Sequence, residues 1–282
     1  LGPAHDQSVN SVLHLVNLYH HGARYDDEAS LIDETLRVLR EVRDETDADV
    51  QELLHRRAHM LSAMGEADEA GTLYRSTFQT QLSAIGNPAQ ISHYATCLTS
   101  HLMGERAFGE SADVLADWLE FERRRAPEGS IEIAGMLDRM AYCLIEAGRP
   151  ADGAAEARNA LELRTRLRPE DEMGIAGSKM LIATGLTRQD RFTEAETLLR
   201  DVLDIRERLL KPDHWLVHNT RSLLGECLLE QSYLDEAATM LRAAHEALAA
   251  NPATPPARVA DSAQRLERLR TLAAHESELS EP

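Results

Sequence analysis

Between residues 190 and 214 the apolar side chains fall on one face of a helix. Ala195, Leu198, Leu199, Val202, Leu203 and Leu209 recur at helical spacing, and charged side chains take most of the positions between them. Thr193 and, three residues on, Glu196 form a capping-box pattern, in which a hydroxyl meets an orphan N–H and a carboxylate reaches back. Pro212 cannot continue a helix and marks the stop. The same unit of start, apolar stripe and stop returns along the whole chain. Its starts begin at Tyr25, Ala67, Phe108, Pro150, Phe192 and Tyr233, which lie 42, 41, 42, 42 and 41 residues apart. They end at Ala29, Ala70, Ser111, Gly153, Ala195 and Ala237, spaced 41, 41, 42, 42 and 42. A fixed period of this size is the signature of a repeat architecture.

Each unit holds two helices, A and B. Helix A is predicted over 8–21, 49–64, 89–103, 131–147, 173–188 and 215–231, and helix B over 26–42, 68–84, 110–125, 151–167, 193–210 and 234–249. The repeats then cover 7–46, 47–88, 89–128, 129–170, 171–213 and 214–256, with residues 1–6 as the end of a preceding connector. A last periodic segment over 257–275 reads as a capping helix, and 276–282 as a frayed tail. A single hairpin cannot bury its apolar face, whereas stacked hairpins bury a continuous core and present an extended surface. The fold class is therefore all-α, an α-solenoid of six helix-turn-helix repeats closed by one helix.

The pattern resembles the tetratricopeptide repeat in its 42-residue, kinesin-light-chain-like variety. The residues that carry the resemblance are the small side chains in mid helix A (Ala58, Ala141, Ala183, Gly225) and early in helix B (Ala29, Ala70, Ala195, Ala237). The runs Leu224-Gly225-Glu226-Cys227-Leu228-Leu229 and Ile205-Arg206-Glu207 add to it. Departures fall at Ala67 and Pro150, where a turn aromatic is missing, at Ser111 and Gly153 in place of Ala, at Gly22, which sits one residue early, and around Thr99. The resemblance implies a right-handed superhelix and a non-catalytic interaction scaffold. It also extends to arrays attached C-terminally to bacterial serine/threonine protein kinases, and the opening in mid-connector points to a longer protein. The alternative expectation is thus a regulatory or substrate-docking region of a signalling enzyme, although the kinase motifs themselves do not occur in this sequence.

Charge narrows the partners. Forty-eight acids against 30 bases give a net charge of −18, which disfavours nucleic acid. The one basic run, Arg123-Arg124-Arg125, sits at a helix C-terminus, where it complements the helix dipole. Three scattered cysteines, Cys97, Cys143 and Cys227, argue against a disulfide framework and fit reduced thiols in a cytoplasmic protein. No apolar run is long enough to span a membrane.

Chemistry-bearing groups are few. His55 and His59, and again His214 and His218, have the i, i+4 spacing that can present two imidazoles to a metal. No Glu or Cys set completes a site, so both are read as groove or connector polar groups, and no metal or cofactor is expected. Phosphate cradles and nucleophile motifs do not occur, and no catalytic residue is assigned. The expected contact surface, carried over from the resemblance, is the face of helix A opposite its stacking residues. It comprises Asn17, His20 and His21; His55, His59 and Ser62; His93, Thr96 and Ser100; Asp138, Tyr142 and Glu146; Thr184 and Arg188; and Glu226 and Glu230. This set is His-rich early and acidic late, so the expected partner is an extended peptide or protein segment, with basic residues for the acidic half.

Overall fold

The computed structural model describes residues 5–84 and 86–279, with side chains as far as residue 272. Among the described residues there are thirteen helices and no strand. They are α1 (Asp6–His21), α2 (Tyr25–Leu39), α3 (Ala48–Met64), α4 (Ala67–Ser83), α5 (Pro88–Gly104), α6 (Phe108–Arg125), α7 (Ile131–Glu146), α8 (Pro150–Leu167), α9 (Glu172–Thr187), α10 (Phe192–Leu209), α11 (Trp215–Glu230), α12 (Leu234–Ala250) and α13 (Pro256–Leu279). Odd-numbered helices up to α11 are the A helices, and even-numbered ones the B helices. Only α2 and α13 end more than two residues from where the periodicity predicts. α2 stops at Leu39 because Val42, read as its last apolar position, is 69% exposed and buries nothing. α13 runs into the expected tail, and residues 1–4 and 280–282 lie outside the described residues.

The chain folds as two compact units, Leu1–Glu122 and Arg123–Pro282. In the first, α1 to α5 pack each on the next, and Val16, Ile32, Leu36, Leu39 and Leu53 form the core of α1 to α3. In the second, α7 to α13 do the same around a core running from Ala141 through Leu186, Leu199 and Leu228 to Leu269. A helices of neighbouring repeats also touch, α7 on α9 and α9 on α11. α13 lies on both α11 and α12, so it takes the place of helix A in a further repeat and covers the last hairpin's stacking face.

The A-to-B turn repeats its backbone as strictly as the sequence repeats its period. Ala23, Gly65, Arg106, Gly148, Asp190 and Ser232 all have positive φ, between 52° and 87°, and sit 42, 41, 42, 42 and 42 residues apart. Gly22, by contrast, has φ −83°, so the left-handed place falls one residue later, on Ala23. Glycine suits that place at Gly65 and Gly148, whereas an L side chain there costs roughly 1–2 kcal/mol.

Helix starts divide into two kinds. Every A helix opens on a side-chain cap: His5, Asp47, Asn87, Ser130, Asp171 and His214 each accept from a backbone N–H one to three residues inside the helix. The connector histidines are thus caps, each accepting through Nδ1 at 3.2 Å. The B helices α2, α4, α8, α10 and α12 have no side-chain cap. The capping box expected at Thr193 and Glu196 does not form. The cap residue is Arg191, Thr193 donates to Gln231 across the repeat, and Glu196 pairs with Arg200 and Gln231.

The small residues mark where A and B helices cross. Ala58, Ala70, Ala141, Ala183, Ala195 and Ala237 are all fully buried. The departures from the pattern also sit at such crossings: Ser111 donates to the carbonyl of Thr99, another departure, and Gly153 lies against the carbonyl of the pattern residue Ala141.

Candidate functional site

The A helices of the first unit carry the part of the expected surface with the most unusual chemistry. His55 and His59 project from one face of α3, and His93 and Cys97 from one face of α5, each pair at i, i+4. The structure brings these two pairs together. One ligand atom from each of His55, His59, His93 and Cys97 lies within 4.8 Å of every other. Cys97 Sγ is 3.4 Å from His59 Nε2 and 4.0 Å from the His93 ring nitrogens. Tyr94 stacks on His55 with ring centroids 4.0 Å apart, and the Tyr74 ring meets both α3 imidazoles edge-on. His55 is fully buried, so it does not line a surface as the sequence suggests; Cys97 is half-buried and His93 exposed.

Burial sets the protonation of this group. It pushes the His55 imidazolium down to about 2 and, helped by Arg56 and His93, that of His59 down to about 4. Both rings are therefore neutral in ordinary buffers. Burial also pushes the Cys97 thiol up to about 11. A thiol so raised is not an activated nucleophile despite the imidazole beside it. Around the cluster, Arg56 donates to Glu52 at 2.7 Å and to Asn17 at 2.8 Å, and Tyr94 donates to Glu52 at 3.1 Å. Asn17 is thus engaged within the unit. So is His20, whose Nδ1 is 3.2 Å from the buried carboxylate of Glu28. His21, Ser62, His93 and Ser100 are exposed, and Thr96 is half-buried with its hydroxyl donating to the Ser92 carbonyl.

In the second unit most of the expected acidic surface is already paired. Asp138 accepts from Arg164 at 2.8 and 3.1 Å and from the Ser178 hydroxyl at 2.8 Å, and Arg164 also reaches Asp171. Burial pushes the Asp138 carboxyl up, against the opposing pull of Ser178 and Arg164. Glu226 accepts from Arg265 of α13 at 2.5 Å, and Glu230 is 2.8 Å from Arg268 of the same helix. These three acids therefore do not present free charge, which corrects the expectation of an acidic late groove. The hydroxyl of Thr184 is spent on the Met180 carbonyl. Tyr142 and Glu146 are half-buried, and Arg188, at the C-cap of α9, is exposed. Cys143 and Cys227 are buried in the core, and neither is in a disulfide.

These helical hairpins, repeating every 41 or 42 residues, define a class of helical-repeat protein. Residues 174–250, from within α9 to the end of α12, match the model of the tetratricopeptide repeat family. Solved structures extend the likeness in fold. The chain is similar to BtubC (BKLC) from P. vanneervenii, with TM-score 0.60 and 16% identity over 89% of this chain and 93% of that one. It is similar to the kinesin-light-chain TPR-like repeats of Podosopora anserina, with TM-score 0.57 and 12% identity over 74% and 98%. It is similar as well to a Signal Transduction ATPase with Numerous Domains that carries a tetratricopeptide repeat sensor, from Pyrococcus horikoshii. There the TM-score is 0.64 at 12% identity, and 95% of this chain matches 39% of that one. No curated protein sequence matches the chain. At these identities the likeness is one of fold.

Proposed function

We propose that the chain is a non-catalytic binding module that holds a peptide or protein segment on the A-helix surface of its first unit. The observation that carries this reading is the unequal state of the two A-helix faces. In the second unit, Asp138, Glu226 and Glu230 are neutralised by Arg164, Arg265 and Arg268. In the first, His21, Ser62, His93 and Ser100 remain exposed on α1, α3 and α5, beside half-buried His59 and Thr96. Hydroxyls and imidazoles suit an extended segment recognised through its backbone amides and carbonyls, with little call for a basic sequence. No helix among the described residues is long and apolar enough to cross a membrane.

The test compares capture of partners by the wild type with capture by two surface variants. Ser62→Trp with Ser100→Trp blocks the A face, and Ser76→Trp with Gln79→Trp places the same bulk on exposed positions of the B helix α4. A partner held by the wild type and the B-face variant but lost from the A-face variant supports the reading. Equal retention by both variants counts against it.

A second reading places the array as the sensing part of a longer signalling protein. It rests on the likeness to the Pyrococcus protein, in which the matching region is 39% of the chain. The kinase fusion expected from the sequence resemblance draws no support from these three structures.

A further inference from the structure

Two neighbouring A helices each present a pair of metal-binding side chains to the same point. The donor set is three imidazole nitrogens and one sulfur, with no carboxylate among the four. Such a set is too soft for Ca²⁺ or Mg²⁺ and suits Zn²⁺ and its tetrahedral relatives. Zinc bonds of about 2.0–2.1 Å to nitrogen and about 2.3 Å to sulfur put tetrahedral ligand atoms roughly 3.4–3.6 Å apart. Cys97 Sγ and His59 Nε2 already stand at 3.4 Å, and no pair in the set is more than 4.8 Å apart. Closing the remainder takes about 1 Å of side-chain movement by this geometry, which exposed His93 can supply by rotation.

The surroundings of His55 fix which of its nitrogens would bind. Thr77 Oγ1 donates to the Tyr74 carbonyl at 3.1 Å, so toward His55 Nδ1, 3.4 Å away, it acts as acceptor. With its proton on Nδ1, toward that acceptor, His55 holds a lone pair on Nε2. That Nε2 is fully buried and has no hydrogen-bond partner. A ligating histidine has this arrangement, one nitrogen anchored by an outer group and the other bare toward the metal. Ring stacking on Tyr94 alone would need neither a bare nitrogen nor a thiol within reach.

We propose that His55, His59, His93 and Cys97 form a tetrahedral site for a single Zn²⁺-class ion that ties α3 to α5. The imidazoles enter neutral, and Cys97 releases its proton to water as the metal–sulfur bond forms. Exposed His93 gives the ion its route in from solvent. The site links the A helices of the second and third repeats; it shares His59 and His93 with the proposed partner surface, and metal titration reads it separately from partner capture.

The experiment uses the whole chain, stripped with chelator and titrated with Co²⁺, then with Zn²⁺ in competition. One cobalt per chain is expected, with intense tetrahedral d–d absorption, a thiolate-to-cobalt charge-transfer band, and displacement of both by zinc. Cys97→Ser should abolish the charge-transfer band. Cys97→Ser and His93→Ala should each weaken binding by more than the roughly 10- to 100-fold cost of losing an outer-shell partner. Neither side chain is fully buried, so both variants should keep the helical circular dichroism of the wild type. His218→Ala, from the other i, i+4 histidine pair, should leave binding unchanged. The proposal is overturned if the wild type shows no charge-transfer band, if the Cys97 and His93 variants bind like the wild type, or if His218→Ala abolishes binding.

Discussion

Gly153→Ala tests the packing rule on which the whole array depends. A Cβ at Gly153 would sit 2.6 Å from the Ala141 carbonyl oxygen and 2.7 Å from Ile145 Cγ1, where ordinary contact begins near 3.4 Å. The obstacle is backbone, so α7 and α8 would have to part by about 0.8 Å. Overpacking of this kind costs about 1–3 kcal/mol. Alanine recovers about 0.5–1 kcal/mol of helix propensity, which leaves a net loss of up to about 2.5 kcal/mol. Gly177, inside α9, provides the opposite case, because a Cβ there meets nothing within 4 Å. Gly177→Ala should therefore stabilise by the propensity term alone, about 0.5–1 kcal/mol. With a urea m-value of about 1–3 kcal/mol/M, the two midpoints should move in opposite directions by a few tenths of a molar or more. Urea unfolding followed by circular dichroism reads both. A Gly153→Ala midpoint at or above wild type, or a Gly177→Ala midpoint below it, would refute the argument that the crossing, and not helix propensity, selects the residue.

Other perturbations probe pairing and burial. Glu226→Gln removes the carboxylate that accepts from Arg265 and should cost about 1–2 kcal/mol, with faster amide exchange appearing first in α13; unchanged α13 protection would show that the pair does not hold the helix. Arg206 is 5% exposed and donates to Thr220 and the Leu216 carbonyl, and burial pushes its guanidinium down to about 10. Its charge therefore opposes folding at all lower pH, so Arg206→Met should raise thermal stability at neutral pH by about 1 kcal/mol. That advantage should shrink as pH rises past 10 and the folded wild type sheds its proton; a lower melting temperature at neutral pH contradicts it. Burial also pushes the Glu28 carboxyl above its ordinary value of 4.5, against the opposing pull of His20 and Arg56. The folded wild type then holds that proton longer than the unfolded chain and loses stability as pH climbs past 4.5, whereas glutamine does not titrate. The stability difference should move in favour of Glu28→Gln as pH climbs from 4.5, and calorimetry showing the reverse slope would sink this account.

The period and the helices were legible because they are properties of neighbouring residues. Apolar spacing, prolines and small crossing residues all act within one hairpin, and α7 to α12 end within a residue or two of expectation. Details that depend on a second element were not legible. The sequence shows Gly22 one residue early but not which residue takes the turn; the hydrogen bond from Arg24 N to Tyr19 O goes with a left-handed conformation on Ala23. Thr193 and Glu196 spell a capping box, yet Gln231 of the next repeat competes for both side chains and takes them. The acidic face of α11 looked open because α13 was read only as a cap, without its register; that register sets Arg265 and Arg268 on Glu226 and Glu230. The histidine pair on α3 looked incomplete because its missing ligands lie 38 residues on, in another helix A. A His-x-x-x-His and a His-x-x-x-Cys on successive A helices was the signal that could have found it.

Among the described residues, the hydrogen bonds seen to join one repeat to the next reach about one period along the chain. Tyr94 to Glu52 spans 42 residues, Ser178 to Asp138 spans 40, and Arg265 to Ser222 spans 43. A hairpin therefore finds its bonding partners within one further period of sequence. On a ribosome, each repeat can settle as soon as its successor emerges, without waiting for the far terminus. For evolution, the same wiring makes a block of 41 or 42 residues a natural unit of gain or loss, since removing one period returns every surviving crossing to an equivalent neighbour.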